Sequence, residues 1–254
     1  MIINRANSMA TILMVATFLT LAGHPAVRAE SPAVLDVGRF SLEKQDDELP
    51  SGWEPFTFRG IDRHTDYRLV EEDGKVVVKA TSHASASGLM RRIAIDPREY
   101  PIVQWRWKAA NVLEKADIHR KEGDDYPARI YIAFEYDPAK MSVTGRIKYG
   151  IARALHGEHP PHGVINYLWA SKAPVGLVTP NAYTDRAMMI VVQSGAENLN
   201  AWVEEERNIY EDYKGAFKEE PPMISGVAIM TDTDNTGESA TAYYGDILFR
   251  KEKP

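Results

Sequence analysis

Cysteine is absent from the 254-residue chain. That absence removes disulfides, thiolate nucleophiles, Cys-ligated zinc and lipid attachment at a cysteine. Excess positive charge is missing too. Thirty Lys and Arg stand against 36 Asp and Glu, a net charge of −6, so the basic footprint of a nucleic-acid binder is not there. No Gly-x-Ser-x-Gly elbow, phosphate-binding glycine loop or dinucleotide fingerprint occurs. The one long apolar run, Met9–Gly23, falls short of the roughly 20 residues that a membrane-crossing helix needs. Arg5 precedes it, and Pro25 and Val27-Arg28-Ala29 follow. This order reads as a cleavable signal peptide over residues 1–29, with a periplasmic destination and no stable membrane insertion.

What is present suits a folded β domain. Hydrophobic residues make up 44% of the chain, and 17 glycines and 15 prolines punctuate it, enough apolar material for a sizeable core. Short β-rich runs recur at Trp53–Phe58, Lys75–Thr81, Leu89–Ile95, Ile102–Lys108, Ala128–Tyr136, Val164–Ala170, Ala187–Gln193, Gly226–Thr231 and Thr241–Phe249. Turn signals such as Glu72-Asp73-Gly74 and Asp234-Asn235-Thr236-Gly237 separate them. Two runs alternate cleanly. Val103, Trp105 and Trp107 face opposite to Gln104, Arg106 and Lys108, and Ile130, Ile132 and Phe134 face opposite to Arg129, Tyr131 and Glu135. The fold expected for residues 30–254 is therefore all-β: a single antiparallel β-sandwich domain of the jelly-roll kind with a helical insertion.

Two segments carry helical spacing. Ile147, Ile151 and Leu155 recur on one face between Ser142 and His156, which predicts the inserted amphipathic helix. Ile209, Tyr213 and Phe217 predict a second helix over Asn208–Phe217, with the acidic run Glu204-Glu205-Glu206 favouring its N-terminus.

Candidate functional residues cluster in two acidic loops. Asp124 and Asp125 stand at the mouth of the strand carrying Arg129 and Tyr131. Paired carboxylates there suit hydroxyl or cation binding, and in a different geometry acid–base chemistry. Thr231-Asp232-Thr233-Asp234-Asn235-Thr236-Gly237 opens like an EF-hand loop, but Tyr243 stands where the bidentate Glu should be. Calcium at Asp232 and Asp234 is the one cofactor left open. Arg106, Lys108 and Arg129 are cations on strand faces and need acidic partners or a polar ligand. Arg106, Asp125, Arg129 and Asp232 are accordingly expected to form one charged cluster. Trp169 and Tyr131 are the aromatics placed on a ligand face. His156, His159 and His162 read as a surface loop, because Pro160-Pro161 prevents a helix that would align them.

The motifs also resemble a known group of proteins. Leu-Pro-x-Gly-Trp (49–53), Ser-Ala-Ser (85–87), Trp-Arg-Trp-Lys (105–108) and Lys-x-Gly-Asp-Asp-Tyr-Pro-Ala-Arg-Ile-Tyr (121–131) occur in that order. Tyr-x-Trp (167–169), Glu-x-Arg-Asn-Ile (205–209), Asp-Tyr (212–213) and Thr-Asp-Thr-Asp-Asn-Thr-Gly-Glu (231–238) continue it. The series is similar to an uncharacterised bacterial envelope family, the domain of unknown function three-zero-four-seven, from about residue 35 to 249. The resemblance implies one domain of galactose-binding-like or jelly-roll type. It brings no activity and no catalytic residue.

The function expected first is a periplasmic, non-catalytic binding module for a glycan or other polar envelope ligand. A carboxylate-dependent hydrolase or lyase acting on a glycan, and a structural envelope interaction protein, are the alternatives. The leader has its own test. Mass spectrometry of the protein exported by its host is expected to give Glu30 as the first residue; an intact Met1 on membrane-held protein would refute the periplasmic assignment.

Overall fold

Alternating strands sort themselves onto two sheets in the computed structural model, which describes residues 31–45, 48–136 and 162–252. All the elements below belong to the compact unit Ala33–Pro254. In chain order the strands are β1 Val34–Gly38, β2 Glu54–Phe56, β3 Asp66–Glu72, β4 Lys75–His83, β5 Gly88–Ile95, β6 Ile102–Ala109, β7 Ala128–Phe134, β8 Val164–Ala170, β9 Val178–Asn181, β10 Thr184–Ser194, β11 Val203–Asn208, β12 Ile224–Met230 and β13 Ser239–Arg250, with one α-helix among the described residues, α1 Ile209–Phe217, before β12. The first sheet runs β11-β6-β13-β4-β3, with β1 also on β13; the second runs β2-β5-β12-β7-β8-β10-β9. From β4 to β7, successive strands switch sheets, and β12 and β13 do so again. The result is the expected sandwich of jelly-roll type.

The two sheets meet through aromatic side chains. Trp105 stacks on Tyr167 at 5.1 Å between ring centroids, and Trp107 tilts against Trp169 at 6.1 Å. Trp105 and Trp107 come from β6 in the first sheet, Tyr167 and Trp169 from β8 in the second. Ile130, Ile132 and Phe134 of β7 and Ile247 and Phe249 of β13 fill the same core without exposure.

Several expectations change. Trp169 is fully buried, and its indole N–H donates to the carbonyl of Gly195 at 3.1 Å. It belongs to the core because it shares strand parity with Ile165 and Tyr167. The Glu204–Glu206 run that precedes the helix is strand. In β11 it pairs antiparallel with β6, setting Glu204 opposite Arg106 and Glu206 opposite Gln104, so its charges are met across the ladder. The helix itself forms as expected. The Asn208 side chain caps it by accepting from the Glu211 N–H at 3.0 Å, and Lys218 closes it at φ +60°. One strand pair departs from the antiparallel rule. β9 and β10 form a hairpin whose second arm inserts beside β8, so β10 runs parallel to β8. The helix expected over Ser142–His156, together with His156 and His159, lies outside the described residues. No helix among the described residues is long and apolar enough to cross a membrane.

A stability test follows from the aromatic seam. Trp169→Ala is expected to lower the unfolding free energy by about 3–5 kcal/mol, as aromatic truncation in a packed core does. Urea denaturation measures it, and a loss within about 0.5 kcal/mol would mark a surface residue instead.

Candidate functional site

The outer face of the second sheet carries a cleft of about 360 Å³. Its floor comes from strand alternation. Arg129 and Tyr131 of β7 and Asn166 of β8 point away from the core side taken by Ile130, Ile132 and Tyr167. Asp124, Asp232 and Asp234 arrive from the loops before β7 and after β12, and Asn181 and Tyr183 from the β9–β10 hairpin. Ile118 and Tyr126, packed on Leu168, Met189 and Val191, cover the neighbouring part of this face.

Arg129 and Asp232 make a buried ion pair, side chains 4% and 2% exposed. The Asp232 carboxylate also accepts from the Tyr126 backbone N–H at 3.3 Å. Rings of Tyr126 and Tyr131 lie 5.1 and 5.2 Å from the guanidinium, so the cation is sandwiched by π faces. Burial alone would disfavour the charged guanidinium, but Asp232 together with Tyr131, Asp124 and Tyr126 outweighs it and holds Arg129 protonated. The Asp232 carboxyl is pushed well above its usual range by burial, with Arg129 opposing and Asp125 and Asp124 adding to the rise. Removing either partner alone strands a buried charge, at about 3–5 kcal/mol.

Asp125 does another job. Fully buried, it accepts from the backbone N–H groups of Thr236 at 2.6 Å and Asn235 at 3.3 Å. It thereby folds the 232–237 loop back over the strand end. Gly237 completes that turn at φ +70°, its N–H reaching the Thr233 carbonyl at 2.9 Å. Beneath the loop, Ser82 and Thr233 hydroxyls meet at 2.7 Å and Thr65 donates to the Thr231 carbonyl at 2.7 Å. Ser85 and Ser87 join this buried hydroxyl cluster, so the Ser-Ala-Ser motif is architecture. Gly123 has a similar origin: a Cβ there would lie 2.6 Å from the Asp117 backbone N.

Carboxylate oxygens of Asp125, Asp232 and Asp234 lie within 4.8 Å of one another. That spacing admits a divalent cation. Calcium held there would compete with Arg129 for Asp232 and with two backbone N–H groups for Asp125. Asp234 is the least committed of the three. Half-buried, it lines the cleft, and burial and the neighbouring Asp125 charge raise its carboxyl above the usual range.

The expected four-residue cluster divides. Asp125, Arg129 and Asp232 are together, but Arg106 and Lys108 lie on β6, in the other sheet. Arg106 stacks over the Trp202 ring at 4.4 Å. Lys108 pairs with Glu72 and sits 4.5 Å over the Tyr243 ring. Parity places a side chain away from the core without saying which sheet it leaves from. His162 is buried against Glu219 through Nε2 at 2.7 Å instead of on a surface loop.

Other cleft residues carried weaker signals. Asn166, 1% exposed, is the polar residue inside Val-Ile-Asn-Tyr-Leu-Trp-Ala, an anomaly visible in the sequence. Asn181 donates to both Asp124 oxygens at 3.0 and 2.9 Å. Tyr183 stands exposed at the mouth, its hydroxyl accepting from the Asn235 amide at 3.2 Å. The hairpin that brings these two to the site has no long-range sequence signature.

Asp234 predicts a pH effect. Its folded-state pKa is raised, so the fold favours the protonated acid, and the unfavourable charge enters as pH rises through the folded value. Asp234→Asn is expected to be more stable than the parent near neutral pH, the difference vanishing below about pH 4. Denaturation at the two pH values measures it; an equal difference at both would contradict the assignment.

No curated protein matches the chain. Among solved structures, the Emp47p carbohydrate recognition domain is similar at 12% identity and a TM-score of 0.41, covering 91% of this chain and all of that one. The cellulose-induced protein Cip1 is similar at 11% identity and TM-score 0.32, covering 78% of this chain and 91% of that one. An exo-beta-agarase matches at 11% and 0.34, covering 85% of this chain and a 25% share of the enzyme. A family profile, described as protein of unknown function (DUF3047), matches residues 51–248. The chain belongs to that family.

Proposed function

We propose that this protein is a non-catalytic binding module of the periplasm whose cleft on the second sheet takes a hydroxyl-rich ligand, a glycan foremost. The carrying observation is a mismatched pair of polar atoms. Arg129 Nε and Asn166 Oδ1 are both buried and have no hydrogen-bond partner among the described residues, and both residues line the cleft. A buried donor or acceptor left unmade costs about 1–3 kcal/mol. A sugar hydroxyl both donates and accepts, so one class of ligand serves both atoms. Around them Asp124, Asp234, Asn181 and Asn235 offer further planar polar groups, and Tyr183 offers an exposed ring face.

The hydrolase alternative draws on the raised carboxyl of Asp234, as a general acid requires. Its partner would have to be Asp124, since Asp125 and Asp232 are engaged with backbone N–H groups and Arg129. Asp124 in turn accepts from Asn181. The docking alternative calls for a flat or filled face, whereas this one carries an open cleft.

Thermal-shift measurements against a panel of neutral sugars test the reading, because a ligand that binds only the native state raises Tm. The parent is expected to respond. Asn166→Leu removes the unmet acceptor, so it is expected to fold at least as stably while losing tenfold or more in affinity, about 1.4 kcal/mol. A panel that leaves the parent's Tm unmoved would sink the proposal.

A further inference from the structure

We propose, resting on the reading above, that the site takes a linear, uncharged polysaccharide lying along β7, and not a single terminal sugar. A second cleft of about 690 Å³ continues on the same sheet face, and the two share Phe58 and Tyr131 as walls. The first cleft lies at the Arg129 end of β7, the second at the Ala133–Glu135 end. At ~3.3 Å a residue, Arg129 to Glu135 spans about 20 Å, room for several sugar units in a row.

The lining of the second cleft suits a chain more than a compact ligand. Ala133, Gly226 and Ala228 keep the middle of the floor low, so a ribbon-shaped ligand meets the sheet with little side-chain relief. Phe56 and Phe58, packed edge to face at 4.9 Å, stand on the β2 side, and apolar ring faces of this kind take sugar rings. Charge narrows the class further. The cations of the two clefts, Arg129 and Arg92, face Asp232 and Glu54 in ion pairs. Asp124 and Asp234 in one cleft and Glu135 in the other add carboxylates. The surplus is negative, and like charges repel, so polyuronates and sulfated chains are disfavoured against neutral ones.

Isothermal titration with neutral glucose and galactose oligomers of one to six units tests this, with galacturonate oligomers as the charged comparison. Affinity is expected to rise tenfold or more from dimer to hexamer. Phe56→Ala removes a wall of the far half, and Ala133→Trp fills its floor. Each is expected to bring the hexamer down to dimer affinity while leaving the dimer unchanged; either variant suffices if the other does not fold. Asn166→Leu is expected to weaken both lengths alike. Equal binding of dimer and hexamer would overturn the chain reading and leave the binding module standing. Tighter binding of the galacturonates would overturn the uncharged class. No binding of any sugar at any length would remove the binding module and the chain reading together.

Discussion

A guanidinium and a carboxylate lie against each other on the outer face of the second sheet, both almost wholly out of water. Most of what surrounds them can be understood as a response to that placement. The carboxylate needs a second donor and takes the Tyr126 backbone N–H. The guanidinium needs shielding and lies between the Tyr126 and Tyr131 rings. Asp232 must be held at the end of β12, which the buried hydroxyls of Thr65, Ser82 and Thr233 achieve from below and Asp125 from the side. Such a pair is weak evidence for stability, because desolvation offsets much of the attraction. Its effect here is positional: it holds the Arg129 side chain against the cleft floor.

Strand alternation made much of this legible in advance. The runs at β6 and β7 separate core from non-core without ambiguity, and Asp125, Arg129 and Asp232 do meet. What the linear pattern lacks is sidedness. Arg106 and Arg129 read alike, each opposite an apolar row, yet β6 and β7 belong to different sheets. Burial of Trp169 follows from parity with Tyr167; the aromatic identity of the residue pointed elsewhere. Edge and polar strands escaped notice for a related reason. β11 is Val-Glu-Glu-Glu-Arg-Asn, a composition that suits a helix start until Arg106 and Gln104 stand across from it. Among the described residues β3 pairs on one side only, with β4, and its charged residues hide Leu69 and Val70. Asn166 was visible as a polar residue in an apolar strand, and its meaning needed the cleft.

Electrostatics link the two levels. Four carboxylates, Asp124, Asp125, Asp232 and Asp234, converge near one guanidinium. The fold tolerates this by distributing donors: backbone N–H groups to Asp125, an amide to Asp124, the guanidinium to Asp232. Asp234 receives least, and its partial burial beside the Asp125 charge makes it a weaker acid than usual. The acidic net charge of the chain thus has a local counterpart in the cleft.

The β9–β10 hairpin has a different standing from everything else at the site. Among the described residues β9 ends the second sheet and is bonded on one side only, while Arg129, Tyr131 and Asn166 come from β7 and β8 in its interior. Floor and rim therefore belong to parts of the molecule with unequal tolerance for change. A residue inserted in the Asn181–Thr184 turn alters no core contact, because the turn is exposed or half-exposed and loops of this kind accept insertions readily. A substitution at Arg129 breaks a buried ion pair inside the sheet itself. Relatives of this chain are free to diverge in what they recognise at the rim while keeping one unaltered floor beneath it.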